Sequence, residues 1–113
     1  MVQVSHFDRV KKLTAAMIGN CEKRLHLLLS FPDEQSIQYI TPLAPLVQET
    51  LEKLKEHQSK SKSLRSVAAK AEYVETSLDI LSDLANQVDA FDIALKRTKW
   101  GRTQLTLIKK NTH

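Results

Sequence analysis

Apolar residues recur at helical spacing in three segments of this chain, separated by two polar interruptions. Over about residues 5–30, Phe7, Val10, Leu13, Met17, Cys21, Leu25 and Leu28 keep close to the 3.6-residue period of an amphipathic helix. Ser5 is placed to cap this helix, with Asp8 three residues on, where a capping box carries Glu or Gln. FPDEQS then breaks the pattern: Pro32 biases Phe31 away from helical backbone, and Asp33 or Ser36 can cap the next helix. This second helix, about 34–58, carries Ile37, Ile40, Leu43, Val47, Leu51 and Leu54, but Pro42 and Pro45 intervene. An interior proline costs about 3 kcal/mol, so the main helix is predicted to start at Pro42 or Pro45 with Thr41 as its N-cap. DEQSIQYI then forms a short turn or the kinked first part of the same helix.

The third segment, about 64–99, is the strongest signal. Leu64, Val67, Ala71, Val74, Leu78, Leu81, Ala85, Val88 and Leu95 occupy nine of ten successive a and d positions, and Asp92 is the tenth. Three-four spacing held over four heptads predicts a coiled coil, with Leu84 and Phe91 widening the stripe on one shoulder. A seam running instead through Leu81, Leu84, Val88, Phe91 and Leu95 contains an extra three-residue step after Leu78, a stammer that hands the contact to an adjacent face. In that register Phe91 is buried, and Asp92 sits on the shoulder facing water or the basic flank of a neighbour. QSKSKSLRS, residues 58 to 66, is either a basic loop or the exposed middle of one helix running from Pro45 to about Lys99. With no Gly or Pro to stop the chain there, the continuous, gently bent helix is the preferred reading. Gly101 is a C-terminal stop after Trp100, leaving residues 100–113 as a basic tail.

Composition narrows the class. The chain has 113 residues, 5% of them aromatic, with Gly twice and Pro three times, which suits long helices and at most one domain. The expected fold is all-α: two to three long amphipathic helices, the last a coiled coil, in an elongated bundle whose seams are closed mainly by partner chains. Truncating Leu78 or Leu81 would then cost roughly 2 to 5 kcal/mol if the side chain is fully buried. The single Cys21 cannot form an internal disulfide, which points to a reducing, cytoplasmic setting. The N-terminus lacks the continuous apolar stretch of a secretory signal, and no apolar run approaches the roughly 20 residues of a membrane span. Any membrane association is expected to be peripheral, through partners or the basic tail.

Charge is divided along the sequence. Residues 71 to 92 contain Glu72, Glu75, Asp79, Asp83, Asp89 and Asp92 without a base, whereas Lys96, Arg97, Lys99, Arg102, Lys109 and Lys110 come after them without an acid. The division can orient helical partners, or it is simply a solvated face followed by a solvated tail. The bases with Trp100 also make an anionic-surface contact conceivable, against the plainer reading of Trp100 packed on a partner helix. Asp79 with Asp83 and Asp89 with Asp92 are helix-spaced carboxylates, but His6, His26, His57 and His113 lie far from them, so no metal site is expected. Cys21 and His26 are off same-face spacing, and Gly19 and Gly101 build no phosphate loop. Neither an enzyme nor a cofactor is expected.

The stretch LRSVAAKAEYVETSLDILSDLANQVDAFDIALKR resembles the subunit-two family of the biogenesis of lysosome-related organelles complex, a family also shared with a lysosome-positioning complex. Val88, Asp89, Ala90 and Phe91 match a leucine-aspartate-alanine-tyrosine step of that family, with Leu81, Leu84, Ala85 and Leu95 in the surrounding seam. SIQYITPLAPLVQETLEKLKE is similar to its middle helix and FDRVKKLTAAMIGN to its first, so the likeness spans about residues 7 to 98. The chain departs from it in Pro42, Pro45 and the more basic QSKSKS. The resemblance implies a non-catalytic helical subunit of a hetero-oligomeric rod in endosome and lysosome trafficking, with other helical subunits as partners. Two alternatives stand beside it: a self-contained three-helix adaptor or regulatory module, and a basic-tailed nucleic-acid or membrane-surface binder.

Overall fold

The computed structural model describes residues 5–29, 37–38 and 40–110, and the helical signals of the sequence appear in it as four α-helices with no strand among the described residues. The FPDEQS turn and the last three residues lie outside this description. Helix α1 spans His6–His26. Ser5 caps it as expected: its hydroxyl accepts the Asp8 N–H at 3.2 Å and donates to Asp8 Oδ2 at 2.9 Å, which satisfies an otherwise orphaned first-turn donor. Lys23, Arg24 and His26 in its last turn complement the negative end of the helix dipole. A 3-10 turn, Leu27–Leu29, comes next.

Helix α2 spans Ala44–Ser59, so Pro42 precedes it and Pro45 falls in its first turn, where no proline N–H is needed. Leu43, not Thr41, occupies the N-cap, and it makes no side-chain cap. The Thr41 hydroxyl is turned back to donate to the Ile37 carbonyl at 2.9 Å, holding the preceding turn in which Ile40 is buried.

The long continuous helix from Pro45 to Lys99 is not formed. Residues Lys60–Ser63 make a 3-10 turn, Leu64 is extended, and Ser66 caps a new helix by accepting the Ala69 N–H at 3.0 Å. Serine side chains satisfy backbone groups at the break. Ser59 donates to the Glu56 carbonyl and Ser63 to the Lys60 carbonyl, local bonds that compete with helix continuation. Helix α3, Val67–Leu95, is thereby free to reverse and lay Ile80 and Leu84 in one core with Leu51 and Leu54 of α2.

Residues 100 to 110 are likewise not an open tail. Helix α4, Lys99–Lys110, folds back on α1 and α3 and buries Gly101, Leu105 and Ile108. Gly101 sits inside its first turn instead of ending α3. A Cβ there would collide with the Leu95 carbonyl oxygen and lie 2.8 Å from Thr98 Oγ1, so only glycine fits the tight α3–α4 corner. Thr98 Oγ1 accepts the Gly101 N–H at 2.9 Å and so caps α4.

Helices α1 and α3 run parallel, since Phe7 packs on Tyr73 at one end and Arg24 binds Asp92 at the other. Helix α2 runs against both, with His57 stacked on Tyr73 and Leu43 near Ala90 and Ala94. The bundle measures 51 × 30 × 19 Å with a radius of gyration of 16.1 Å. That exceeds the roughly 13 Å of an average fold this long. A core of Cys21, Ile40, Val47, Leu51, Leu54, Leu84, Phe91 and Leu95 closes within the chain.

Candidate interaction surface

The predicted seam of α3 divides in two. Leu81, Leu84, Val88, Phe91 and Leu95 are buried in the chain's own core, with Ala85 half-buried beside them. Toward the start of the helix the same seam turns outward: Val67 is 86% exposed, Leu78 is 48% exposed, Ala71 is exposed, and Leu64 and Val74 are half-buried. The changeover is geometric. Near its N-terminus α3 packs inward through Tyr73, Ser77 and Ile80, a stripe displaced by one residue from Val74, Leu78 and Leu81. The stammer after Leu78 brings the apolar stripe into line with the packed face.

Phe91 is fully buried, as that register requires, but Asp92 does not face water or a neighbour's flank. It is 7% exposed and accepts two bonds from Arg24 of α1, Nε to Oδ1 at 2.7 Å and Nη2 to Oδ2 at 3.0 Å. Arg24 Nη1 also donates to the Asn20 carbonyl at 3.1 Å. Arg24 is not among the residues that the apolar pattern singles out, although its place three residues after Cys21, on the buried face of α1, carries a signal. Two opposite charges on two apolar stripes are natural partners, because neither is tolerated there alone.

An aromatic ladder holds the outward half of the seam. The rings of Phe7 and Tyr73 meet edge to face at 5.4 Å, and His57 stacks on Tyr73 at 4.2 Å. His57 Nε2 lies 2.9 Å from Ser77 Oγ, and the Ser77 hydroxyl donates to the Tyr73 carbonyl at 2.7 Å. Among the described residues the buried Tyr73 hydroxyl has no hydrogen-bond partner. Beside this ladder, Phe7 of α1 and Val67, Ala71 and Val74 of α3 line an open groove of about 620 Å³. The ammonium groups of Lys11 and Lys70 stand 5.1 and 5.3 Å from the centre of the Phe7 ring, within cation–π range. Lys11 also lines an adjoining polar recess of about 460 Å³ with Lys55, Gln58, Ser59, Ser61 and Lys62.

The C-terminal bases Lys96, Arg97, Lys99, Arg102, Lys109 and Lys110 are placed in and just before α4, which turns Leu105 and Ile108 to the bundle and leaves Leu107 47% exposed. Arg102 Nη1 bonds back to the Lys96 carbonyl at 2.9 Å. Trp100 is half-buried. Cys21 lies fully inside the core, where burial pushes its thiol up to about 11 against the lowering effect of Arg24, leaving a protonated, inaccessible sulfur. Among the described residues no His, Cys, Asp and Glu group is clustered for a metal, and no helix is long and apolar enough to cross a membrane.

No family model, no curated protein and no solved structure matches this chain.

Proposed function

We propose that the protein is a non-catalytic helical subunit that offers the outward half of the α3 seam, Leu64, Val67, Ala71, Val74 and Leu78, to a helix of another chain. The observation that supports this reading most directly is the exposure of Val67 and Leu78 on a stripe whose continuation is core. The exposed half lies beside the Phe7 groove, so apolar surface from two helices is available along one face. In this reading Leu81, Leu84, Val88, Phe91 and Leu95 build the subunit and the preceding residues of the seam join it to its neighbours. The likeness of residues 64 to 97 to the lysosome-related-organelle subunit family suggests an endosomal or lysosomal assembly as the setting, with helical subunits as partners.

Val67→Asp combined with Leu78→Asp tests the proposal. The tagged parent is expected to migrate from cell extract in a high-mass assembly, and the double variant to melt like the parent when isolated yet to leave that assembly. Unchanged migration of the variant would overturn the reading, and a parent that migrates as a lone chain would equally overturn it.

A further inference from the structure

Lys11 and Lys70 flank the apolar groove, and among the described residues neither makes an ion pair. The one carboxylate lining the groove, Asp8, accepts a hydrogen bond from Ser5 and keeps its charge, so two ammonium groups stand against one carboxylate there. Lys62 extends the positive field into the recess next door, where Lys55 is 3.8 Å from Glu22. Two ammonium groups drawn to one phenyl ring repel each other, and a carboxylate arriving between them relieves that repulsion.

We propose that the groove receives an acidic amphipathic helix of a partner protein, with its apolar ridge on Val67, Ala71 and Val74 and its carboxylates on Lys11 and Lys70. This rests on the docking role proposed above and adds the chemistry of the partner. Val67, Ala71 and Val74 keep helical spacing, so a second helix can seat its side chains between them. A second copy of this chain is a poorer occupant. Twofold contact centred on the groove sets the same patch against itself, lysines against lysines.

The test titrates the full isotope-labelled chain with two synthetic helices about five turns long. Both carry the same leucine ridge, one flanked by Glu and the other by Lys. The Glu helix is expected to shift the amide signals of Phe7, Val67, Ala71 and Val74. Lys11→Glu with Lys70→Glu should weaken it at least about tenfold, roughly 1.4 kcal/mol, and transfer preference to the Lys helix. Lys11→Gln with Lys70→Gln should weaken it in the same direction, with far-ultraviolet circular dichroism unchanged in both variants.

Equal binding of the two helices, or an affinity indifferent to the lysines, overturns the acidic partner. If Val67→Asp still abolishes binding in that case, the docking seam survives the loss of its charge rule. If no groove signal moves with either helix, both the acidic partner and the docking role fall. Shifts at the same residues on phosphatidylserine vesicles, and not on the Glu helix, overturn the proposal in favour of a lipid surface.

Discussion

Arg24 and Asp92, 68 residues apart in the chain, join α1 to α3 by a two-pronged buried ion pair, their side chains 7% and 10% exposed. Taking two charges out of water offsets much of their attraction, so the pair is worth little against an apolar replacement of similar shape. Removing only one partner strands the other. Arg24→Met and Asp92→Ala are therefore each expected to cost about 3–5 kcal/mol in urea unfolding, while Arg24→Met with Asp92→Leu recovers most of the loss. Phe91→Ala should fall in the same range of about 3–5 kcal/mol. The two neighbours are then equally damaging for different reasons, whereas an aspartate on an exposed shoulder would cost little to replace. A double variant no more stable than the singles would show that the charges, and not their pairing, matter.

Tyr73 offers an opposite sign. Its hydroxyl is buried without a partner among the described residues, and an unpaired buried hydroxyl costs the fold its dehydration. Tyr73→Phe keeps the ring between Phe7 and His57 and removes the orphan oxygen. The expected result is unchanged or higher stability, by up to about 1 kcal/mol. A thermal melt that falls by several degrees would mean that the hydroxyl is satisfied in solution.

Alkaline stability should report on Cys21. Burial lifts its thiol from 9.0 to about 11, so between those values the folded chain holds a proton that the unfolded chain has released. Stability from this group is full below pH 9 and is lost as pH rises through 11, by about 2–3 kcal/mol at completion. The slope should be absent in Cys21→Ala after correction for its lower baseline. At neutral pH, thiol-reactive dye should label the native chain only at the rate at which it opens.

Gly101→Val is expected to detach α4, because the added side chain meets the Leu95 carbonyl across the corner. Such overpacking costs about 1–3 kcal/mol. Hydrogen exchange should show the damage locally: amides of α4 lose protection while those of α2 and α3 keep theirs. Uniform loss would mean that α4 is integral to the core.

The features legible in the sequence were those that depend on near neighbours. Ser5 and Asp8 interact across three residues and the placement of Pro45 comes from helix geometry alone, whereas the expected α1 stripe holds only in part, since Leu13 is 51% exposed while Thr14 and Ile18 are buried. Phe91 was legible because heptad and bundle stripes coincide from Leu81 onward. The break at 60–66 was not, since serine is a weak local prior and the reversal is decided by Leu84 reaching the α2 leucines. Asp92 needed Arg24 from the far end of the chain. Gly101 needed the position of a carbonyl that only the folded corner defines. The outward turn of Val67 and Leu78 depended on which stripe of α3 its neighbours would cover.

The parallel packing of α1 on α3 bears on the order of assembly. Helix α2 runs against both α1 and α3, so each of them closes a hairpin with its chain neighbour. Helix α1 must bridge the whole α2–α3 hairpin to place Arg24 on Asp92. The α1–α3 interface, whose contacts lie far apart in sequence, is therefore expected to close later than either hairpin. Phe7 and Lys11 belong to α1 and Val67 and Lys70 to α3, so the groove exists only while those two helices are docked, and a partner gripping it would act as a clasp across their joint.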